Sequence, residues 1–338
     1  MPTVHSTAMQ SLLQALAFEL RPGGGRIANL RRLSGGASQD TWAFDLNGDD
    51  GSSTPLVLRR APPGAAVRSG GSAGLAAEAA LIALAAEHGI PVPPLVLTLH
   101  RAHGLGEGFV MAHLDGETLG RRIASDPRLA DARRGLARRC GEVLARIHAL
   151  PRARLPALRE APAAVELARC RDWHHSHGTA RPVFEAALQW LAAQVPPGGT
   201  ATTLVHGDFR NGNLMVGEDG LRGVLDWELA HLGDPMQDLG WLCVNSWRFG
   251  RCELPVGGFG GLDDLFDSYR AAGGHVDADR VHWWQVLGTL QWGVICEGFG
   301  HAWLTGAEPQ MEKAAIGRRA SETEIDLLQL LAPRSTPP

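Results

Sequence analysis

The segment 204–228 constrains the fold of this chain most strongly, because short apolar runs alternate in it with polar residues that a protein core normally excludes. The apolar runs at 214–216 and 224–225 predict two short strands. Between them, residues 217–220 read Gly-Glu-Asp-Gly, which is typical of a tight turn. The segment therefore predicts a small β-hairpin.

Polar side chains flank this predicted hairpin. Asn213 directly precedes its first strand, and Asp226 follows its second strand. Both would lie at its open end, from where they could share a cation with Asp208. Carboxylate and amide oxygens are the ligands that hard cations such as Mg²⁺ prefer. Two carboxylates and a carboxamide in this arrangement predict a metal-dependent phosphoryl-transfer site.

Composition excludes several classes of protein. The chain has 338 residues, of which 44% are hydrophobic and 20% charged, as is usual for a soluble protein with one large or two ordinary domains. A net charge of −4 gives no electrostatic reason to expect a nucleic-acid partner. Five cysteines without C-x-x-C spacing indicate reduced thiols rather than a disulfide framework.

The first twenty residues mix polar and apolar side chains and have no basic region, which predicts an amphipathic helix rather than a signal peptide. The sequence has no run of eighteen apolar residues that would span a membrane. We therefore expect a cytoplasmic protein without a membrane partner. The oligomeric state is not predicted.

Lysine is nearly absent from the chain. Of 32 Lys and Arg residues only Lys313 is a lysine, and no glycine-rich loop precedes it. A P-loop nucleotide site, which requires lysine in G-x-x-x-x-G-K-[ST], is excluded. A charged side chain that binds nucleotide phosphates in this chain would be an arginine.

The pattern changes from strands to helices along the chain. Alternating or continuous apolar runs predict strands at 27–33, 41–46, 56–60, 91–97 and 108–116, with one alanine-rich helix at 73–88. After residue 116 the apolar spacing is helical. We therefore predict an α+β fold with two lobes. These are a small β-rich lobe at 1–111 that binds nucleotide, a hinge at 112–116, and a larger helical lobe at 117–338 that holds the catalytic and acceptor sites.

A carboxylate interrupts the apolar stripe of the predicted 73–88 helix. Glu78 lies in line with Leu75 and Ile82 at helical spacing. A buried carboxylate is costly unless it is paired, and Arg59 on the preceding strand is the nearest candidate by architecture. Such a pair would hold the arginine toward nucleotide phosphates. The alternative is that Glu78 lies at the edge of the stripe and is solvated.

These residues resemble a known family. His206-Gly207-Asp208 with Asn213 five residues beyond, followed by Leu225-Asp226-Trp227-Glu228, Gly233-Asp234-Pro235 and Asp238-Leu239-Gly240, is similar to the aminoglycoside phosphotransferase family of kinase-like small-molecule kinases. Within it, the chain looks most like the branch with kinase-like domains fused to acyl-CoA dehydrogenases. The resemblance extends from Leu30 to about Trp303, and it implies a bilobal protein-kinase-like fold.

The resemblance also implies roles. Asp208 would be the catalytic aspartate, and Asn213 and Asp226 the Mg²⁺ ligands in a site that uses ATP or GTP. His206 would support the loop through backbone contacts, and Asp238 would brace it. The residues at 34–38, which include Gly35, Gly36, Ala37 and Ser38, would cover the phosphates with backbone amides. Arg59, where many relatives have lysine, would hold the phosphates with Glu78, and Met111 and His113 beside the hinge would also contact the nucleotide.

The predicted reaction is transfer of the γ-phosphoryl group to a small-molecule hydroxyl. A protein kinase is not indicated, because only seven residues separate Asp226 from Asp234 and no A-P-E motif follows. By family likeness the acceptor is a hydroxyacyl-CoA or another metabolite. A polycationic aminoglycoside would require a clearly acidic pocket, and the C-terminal charge bias is mild.

Other interpretations stay open at this point. The chain could be a nucleotide-binding module without catalysis, or a metal-dependent hydrolase built on His206, Asp208 and Asp226. The tract 170–177, with one cysteine and three histidines, would suit zinc or simply end a helix. Glu297 and His301 share a helical face and could reach a bound alcohol or be solvated.

Overall fold

The computed structural model describes residues 4–33, 39–62, 71–197 and 202–332, without the side chains of 4–6. The chain divides into two units. One comprises Met1–Gly116, Leu150–Arg159 and Arg222–Ala230, and the other Glu117–Ala149, Glu160–Leu221 and His231–Pro338. No helix in the described ranges is long and apolar enough to cross a membrane.

The first unit is built on a β-sheet. Its described elements are α1 (Val4–Ala15), α2 (Ala17–Leu20), β1 (Arg26–Arg32), β2 (Asp40–Asn47), β3 (Ser53–Arg60), α3 (Leu75–Glu87), β4 (Leu95–Thr98) and β5 (Gly108–Ala112). Among the described residues, five strands form one antiparallel sheet in the order β1-β2-β3-β5-β4. The strand that carries Arg59 is therefore central, which fixes its backbone from both sides.

Successive side chains of β3 point to opposite faces of the sheet, so Leu56 and Leu58 face the apolar core and Arg59 faces away from it. Leu56 and Leu58 pack into a cluster with residues of α1 and α2, including Leu13, which is fully buried. Arg59 points to the other face of the strand, as the period of two requires. Helix α3 packs against β4 and β5 and supplies the partner of Arg59.

Two elements differ from the sequence prediction. The strand expected at 91–97 is reduced to β4, because Pro91, Pro93 and Pro94 have no backbone N–H for a ladder. The single helix expected over residues 1–20 is interrupted at Leu16, between α1 and α2. The strands predicted at 27–33, 41–46 and 56–60 and the helix predicted at 73–88 are confirmed to within a few residues, and the run at 108–116 forms a strand, β5, as far as Ala112.

The second unit is mainly helical. Its described elements are α4 (Gly120–Ser125), α5 (Ala130–His148), β6 (Glu160–Ala161), α6 (Ala163–Ser176), α7 (Pro182–Ala193), β7 (Thr203–Val205), β8 (Leu214–Gly217), β9 (Gly220–Val224), β10 (His231–Gly233), α8 (Met236–Leu242), α9 (Leu262–Ala271), α10 (Ala278–Leu304), α11 (Met311–Gly317) and α12 (Ala320–Leu331). The division between the units falls within β9. Strands β8 and β9 pair in a two-stranded sheet, which confirms the hairpin predicted from the sequence.

Helix packing in this unit places the segment before β8. Helix α5 packs on α9, and α10 packs on α8, α11 and α12. Helices α5 and α9 approach closely at Gly141 of α5, where an added Cβ atom would lie 2.1 Å from the hydroxyl oxygen of Ser268 on α9. Three described strands form a short sheet in the order β6-β10-β7, and β7 ends at Val205. The chain therefore enters the 206–213 loop from a fixed strand.

Candidate active site

Asp208 is the centre of a hydrogen-bonded loop in the helical unit. Its Oδ2 accepts from Asn213 Nδ2 at 2.6 Å, and its Oδ1 accepts from Arg210 Nε and Trp241 Nε1, each at 2.8 Å. The Asn213 amide also donates to the Asp208 carbonyl oxygen at 3.0 Å. Because Nδ2 makes both contacts, Oδ1 is the Asn213 atom that can coordinate a cation.

A buried aspartate holds the first half of this loop. Asp238 is fully buried, and its two carboxylate oxygens accept from the backbone N–H groups of His206 at 2.8 Å and Gly207 at 2.9 Å. Burial acts to raise the pKa of Asp238, but the hydrogen bond and charge of His148 and the bond from His206 outweigh it, so the pKa lies below its ordinary value. Gly207 has φ of 82°, a left-handed conformation that favours glycine.

Buried side chains complete the loop. His206 is fully buried, and its Nδ1 accepts from the Asp208 backbone N–H at 3.2 Å, which fits the supporting role that the resemblance implied. Asn211 is also fully buried and donates to the carbonyl oxygens of Trp247 and Gly257. The loop is thus held by polar contacts before any ligand binds, a form of preorganisation.

Arg59 is surrounded by carboxylates in the sheet-containing unit. Its Nε lies 3.2 Å from Glu78 Oε2, and its Nη2 lies 2.5 Å from Asp226 Oδ1 and 3.6 Å from Glu228 Oε2. The arginine side chain is 13% exposed and the Glu78 side chain 2%. The predicted pairing of Arg59 with Glu78 is therefore present, and a solvated Glu78 was the wrong alternative. The contacts with Asp226 and Glu228 were not predicted.

The segment that carries Asp226 is fixed by its neighbours in the same unit. Val224 donates its backbone N–H to the Pro91 carbonyl oxygen at 2.8 Å, and the Glu228 carbonyl oxygen accepts from the Ala73 N–H at 2.7 Å. Between them, the Trp227 side chain is fully buried. Asp226 itself has φ of 63°, a left-handed conformation that is uncommon for a residue with a side chain, although aspartate adopts it more readily than most.

The carboxyl groups around Arg59 outnumber its positive charge. The pKa of Glu78 is raised to about 8, chiefly by burial; the charge of Arg59 opposes this rise, and the charges of Asp226 and Glu228 add to it. Burial alone would lower the pKa of Arg59, but the same three carboxylates raise it. One guanidinium thus faces three carboxyl groups, of which Glu78 is mostly protonated near neutral pH, so the carboxylates of Asp226 and Glu228 supply the negative charge around Arg59.

The available oxygens suit a hard divalent cation. In the sheet-containing unit the Asp226 side chain is 31% exposed. In the helical unit, taken by itself, Asn213 uses Nδ2 for its contacts with Asp208, which leaves Oδ1 as its ligand atom. Mg²⁺ typically takes one or two protein oxygens and completes its shell with water and phosphate. In the described part of the chain no three His, Cys, Asp or Glu side chains form a metal-holding group, so an all-protein zinc cage is not formed there.

The remaining predicted nucleotide contacts have different outcomes. Met111 lies on β5 opposite Val57, and the His113 backbone N–H donates to the Pro55 carbonyl oxygen at 3.0 Å. Met111 therefore lies inside the sheet and His113 directly after β5, both beside β3, and their contact with nucleotide stays a prediction. Gly35, Gly36, Ala37 and Ser38 lie outside the described residues.

The histidine tract is a helix end. His174 is buried in α6, and its Nδ1 contacts Glu297 Oε2 at 2.7 Å, while His177 lies 3.4 Å from the same oxygen. Arg181 contacts Glu297 Oε1 at 3.2 Å. Glu297 is 5% exposed, so it ties α10 to the α6–α7 segment and is not solvated.

Comparison with known proteins identifies the family. The model of the phosphotransferase enzyme family, which is abbreviated APH, matches residues 29–275. The chain belongs to this family. The match covers both the Arg59 cluster and the Asp208 loop, and it confirms the resemblance found in the motifs.

Curated relatives are longer proteins. The chain is 25% identical to acyl-CoA dehydrogenase family member 11 of Gallus gallus over 93% of its own length and 42% of that protein. It is 25% identical to the probable acyl-CoA dehydrogenase IBR3 of Arabidopsis thaliana over 88% of the chain and 38% of that protein. The chain thus spans about two fifths of the length of these relatives.

Solved structures confirm the fold. A putative aminoglycoside phosphotransferase from Ralstonia eutropha JMP134 superposes with a TM-score of 0.75 at 19% identity, over 95% of this chain and 97% of the other. A thermostable mutant of aminoglycoside phosphotransferase APH(4)-Ia, in a ternary complex with AMP-PNP and hygromycin B, has a TM-score of 0.57 at 16% identity, over 95% and 99%. The predicted α+β class is confirmed, with a β-sheet N-terminal region and a helical C-terminal part that match the kinase-like fold of aminoglycoside phosphotransferases.

Proposed function

We propose that this protein transfers the γ-phosphoryl group of a magnesium nucleotide, ATP or GTP, to a hydroxyl group of a small molecule. The observation that carries the proposal is the held carboxylate of Asp208, on a loop whose amides bind buried Asp238. A positioned carboxylate of this kind can accept the proton of an attacking hydroxyl group. Family membership and neighbours with bound nucleotide support it.

In this proposal each residue of the candidate site has a separate role. Asp208 orients the acceptor hydroxyl and receives its proton. Asn213 Oδ1 and Asp226 would hold Mg²⁺, which when bound neutralises charge on the transferring phosphoryl group. Arg59, held in the sheet by Glu78, would contact phosphate oxygens through its remaining N–H groups.

We propose an uncharged or anionic acceptor, such as a hydroxyacyl-CoA or a similar metabolite, rather than an aminoglycoside. The Arg210 guanidinium lies beside Asp208 and over the Trp247 ring, with its central carbon 4.6 Å from the ring centre. A polycation that approaches Asp208 would meet this fixed positive charge. The relatives that carry acyl-CoA dehydrogenase names point to the same acceptor class.

A screen of acceptors tests the proposal. Formation of ADP or GDP is measured with hydroxyacyl-CoAs, sugars, amino alcohols and aminoglycosides in the presence of Mg²⁺. We expect acceptor-dependent release that falls about 10²–10⁴-fold in Asp208→Asn, because a positioned base contributes that much. Asp263→Asn, on the exposed start of α9, is the matched control and should leave the rate unchanged.

A module that binds nucleotide without catalysis is the second candidate. It is favoured by one observation, namely that Arg59 already contacts Asp226, the residue that would bind the metal. Calorimetric binding of magnesium nucleotide without turnover of any acceptor in the screen would support this candidate and contradict the enzyme.

A further inference from the structure

The two oxygens of the Asp208 carboxylate are held unequally. Each carboxylate oxygen offers about two lone pairs for hydrogen bonds. Oδ1 accepts from Arg210 and Trp241, whereas Oδ2 accepts only from Asn213 among the described residues. Oδ1 is therefore filled, and Oδ2 keeps one lone pair.

We infer that Trp241 is a positioning residue, whose indole N–H fixes Oδ1 of Asp208 so that Oδ2 is the oxygen that meets the acceptor. The inference rests on the proposed function and deepens it. In the reaction, the hydroxyl oxygen bonds to the γ-phosphorus and its proton passes to Oδ2. The bond from the γ-phosphorus to the bridging oxygen breaks, and the nucleoside diphosphate leaves with that electron pair.

The position of the Trp241 ring supports this role. Trp241 is 8% exposed, and its ring centre lies 5.2 Å from that of Trp247. The ring also lies against Gly288 of α10, where a Cβ atom would approach the ring carbon Cε3 to 2.9 Å. The ring is therefore wedged between two elements, and its N–H has little freedom to leave Oδ1.

One helix holds the loop at two points. Asp238 and Trp241 are three residues apart on α8, so they lie on the same face. Asp238 binds the backbone of the loop, and Trp241 binds its functional side chain. A shift of the loop relative to α8 would break both contacts together, which couples loop geometry to carboxylate orientation.

The chemistry of indole fits a positioning role. Indole Nε1–H donates one hydrogen bond and cannot accept one. It therefore orients the carboxylate without competing for the proton that Asp208 receives. Arg210 binds the same oxygen, but it is 26% exposed and its side chain also contacts the Asn211 carbonyl oxygen.

Nuclear magnetic resonance tests the contact without any turnover. The chain has ten tryptophans, so a protein labelled with ¹⁵N in its indole groups gives at most ten side-chain N–H signals. The signal of Trp241 is the one lost in Trp241→Phe. We expect it to move upfield in Asp208→Ala, which removes its acceptor. A signal that stays in place would overturn the inference.

Kinetics test the role itself. Replacement of Trp241 by β-(3-benzothienyl)alanine exchanges the N–H for sulfur and keeps the ring shape, so it removes the donor without opening a cavity. We expect kcat to fall roughly 10- to 100-fold, since a hydrogen bond to a charged group is lost, while KM for magnesium nucleotide changes less than about twofold. Trp241→Phe should show the same split.

Trp292→Phe is the matched control. Trp292 packs on Trp247 in the same aromatic cluster, with ring centres 4.9 Å apart, and makes no hydrogen bond to Asp208. It should keep the wild-type kcat. A wild-type kcat in the benzothienyl variant would refute the positioning role. If the wild-type protein turns over no acceptor, the proposed function and this role both fail, and the resonance shift still decides whether the contact exists.

Discussion

Glu78 offers a quantitative test of the charge balance in the sheet-containing unit. Its pKa is about 8 in the folded protein, against 4.5 for an unperturbed glutamate, chiefly because the side chain is buried. A raised folded-state pKa means that the protonated form of Glu78 favours folding, so the contribution of this group to stability is fully present below pH 4.5 and is lost as the pH rises from there through 8. Between pH 5 and pH 8 this group alone should lower the free energy of unfolding by about 3 kcal/mol.

Glu78→Gln removes the ionisation and keeps the shape. We expect the free energy of unfolding of this variant minus that of wild type to increase by about 3 kcal/mol from pH 5 to pH 8, because only wild type loses stability by ionisation at position 78. Urea unfolding at four pH values in EDTA measures this difference. Asp49→Asn, in the exposed turn between β2 and β3, is the control and should follow wild type. Parallel pH profiles for Glu78→Gln and wild type would refute the reasoning, because Arg59 would then fully offset the cost of burial.

Two further predictions concern Asp238, which holds the Asp208 loop, and Arg59 in the sheet-containing unit. Asp238→Asn should lower the free energy of unfolding by about 2–4 kcal/mol, because a buried carboxylate that binds two backbone N–H groups and His148 loses its charge. Chemical denaturation measures this loss of stability. A loss below about 0.5 kcal/mol would contradict the bracing role of Asp238. Arg59→Lys should weaken binding of magnesium nucleotide about tenfold, as measured by calorimetry, because an ammonium group cannot contact Glu78 and Asp226 through separate nitrogens. An unchanged affinity would show that Arg59 acts only as a point charge.

Local patterns predicted the framework of the site well. The β8–β9 hairpin follows from two apolar runs and a Gly-containing turn, all within a dozen residues. The pair of Arg59 and Glu78 also follows, because a carboxylate inside an apolar helical stripe requires a partner and the preceding strand offers one. In both cases a strong local rule left few alternatives.

Contacts between distant segments could not be predicted in the same way. Trp241 follows Asp208 by 33 residues, and nothing in a lone tryptophan separates a hydrogen-bond donor from a core residue. His148, which binds Asp238, lies 90 residues before it at the end of an ordinary amphipathic helix. Such pairings depend on how helices pack, and the pattern of a single helix gives only its buried face.

Arginine at position 59 is consistent with the three carboxylates around it. A guanidinium group carries its donors on three nitrogens in a rigid fork, so Nε can face Glu78 while Nη2 faces Asp226 and Glu228. Lysine would bring the same charge to one point and could not serve three separate oxygens with fixed geometry. Because the carboxylates of Asp226 and Glu228 outnumber Arg59 even when Glu78 is protonated, the surroundings of Arg59 retain a negative potential that would attract a divalent cation. An arginine at this position therefore sets the geometry of phosphate binding in the proposal and leaves the electrostatic condition for a metal nucleotide in place.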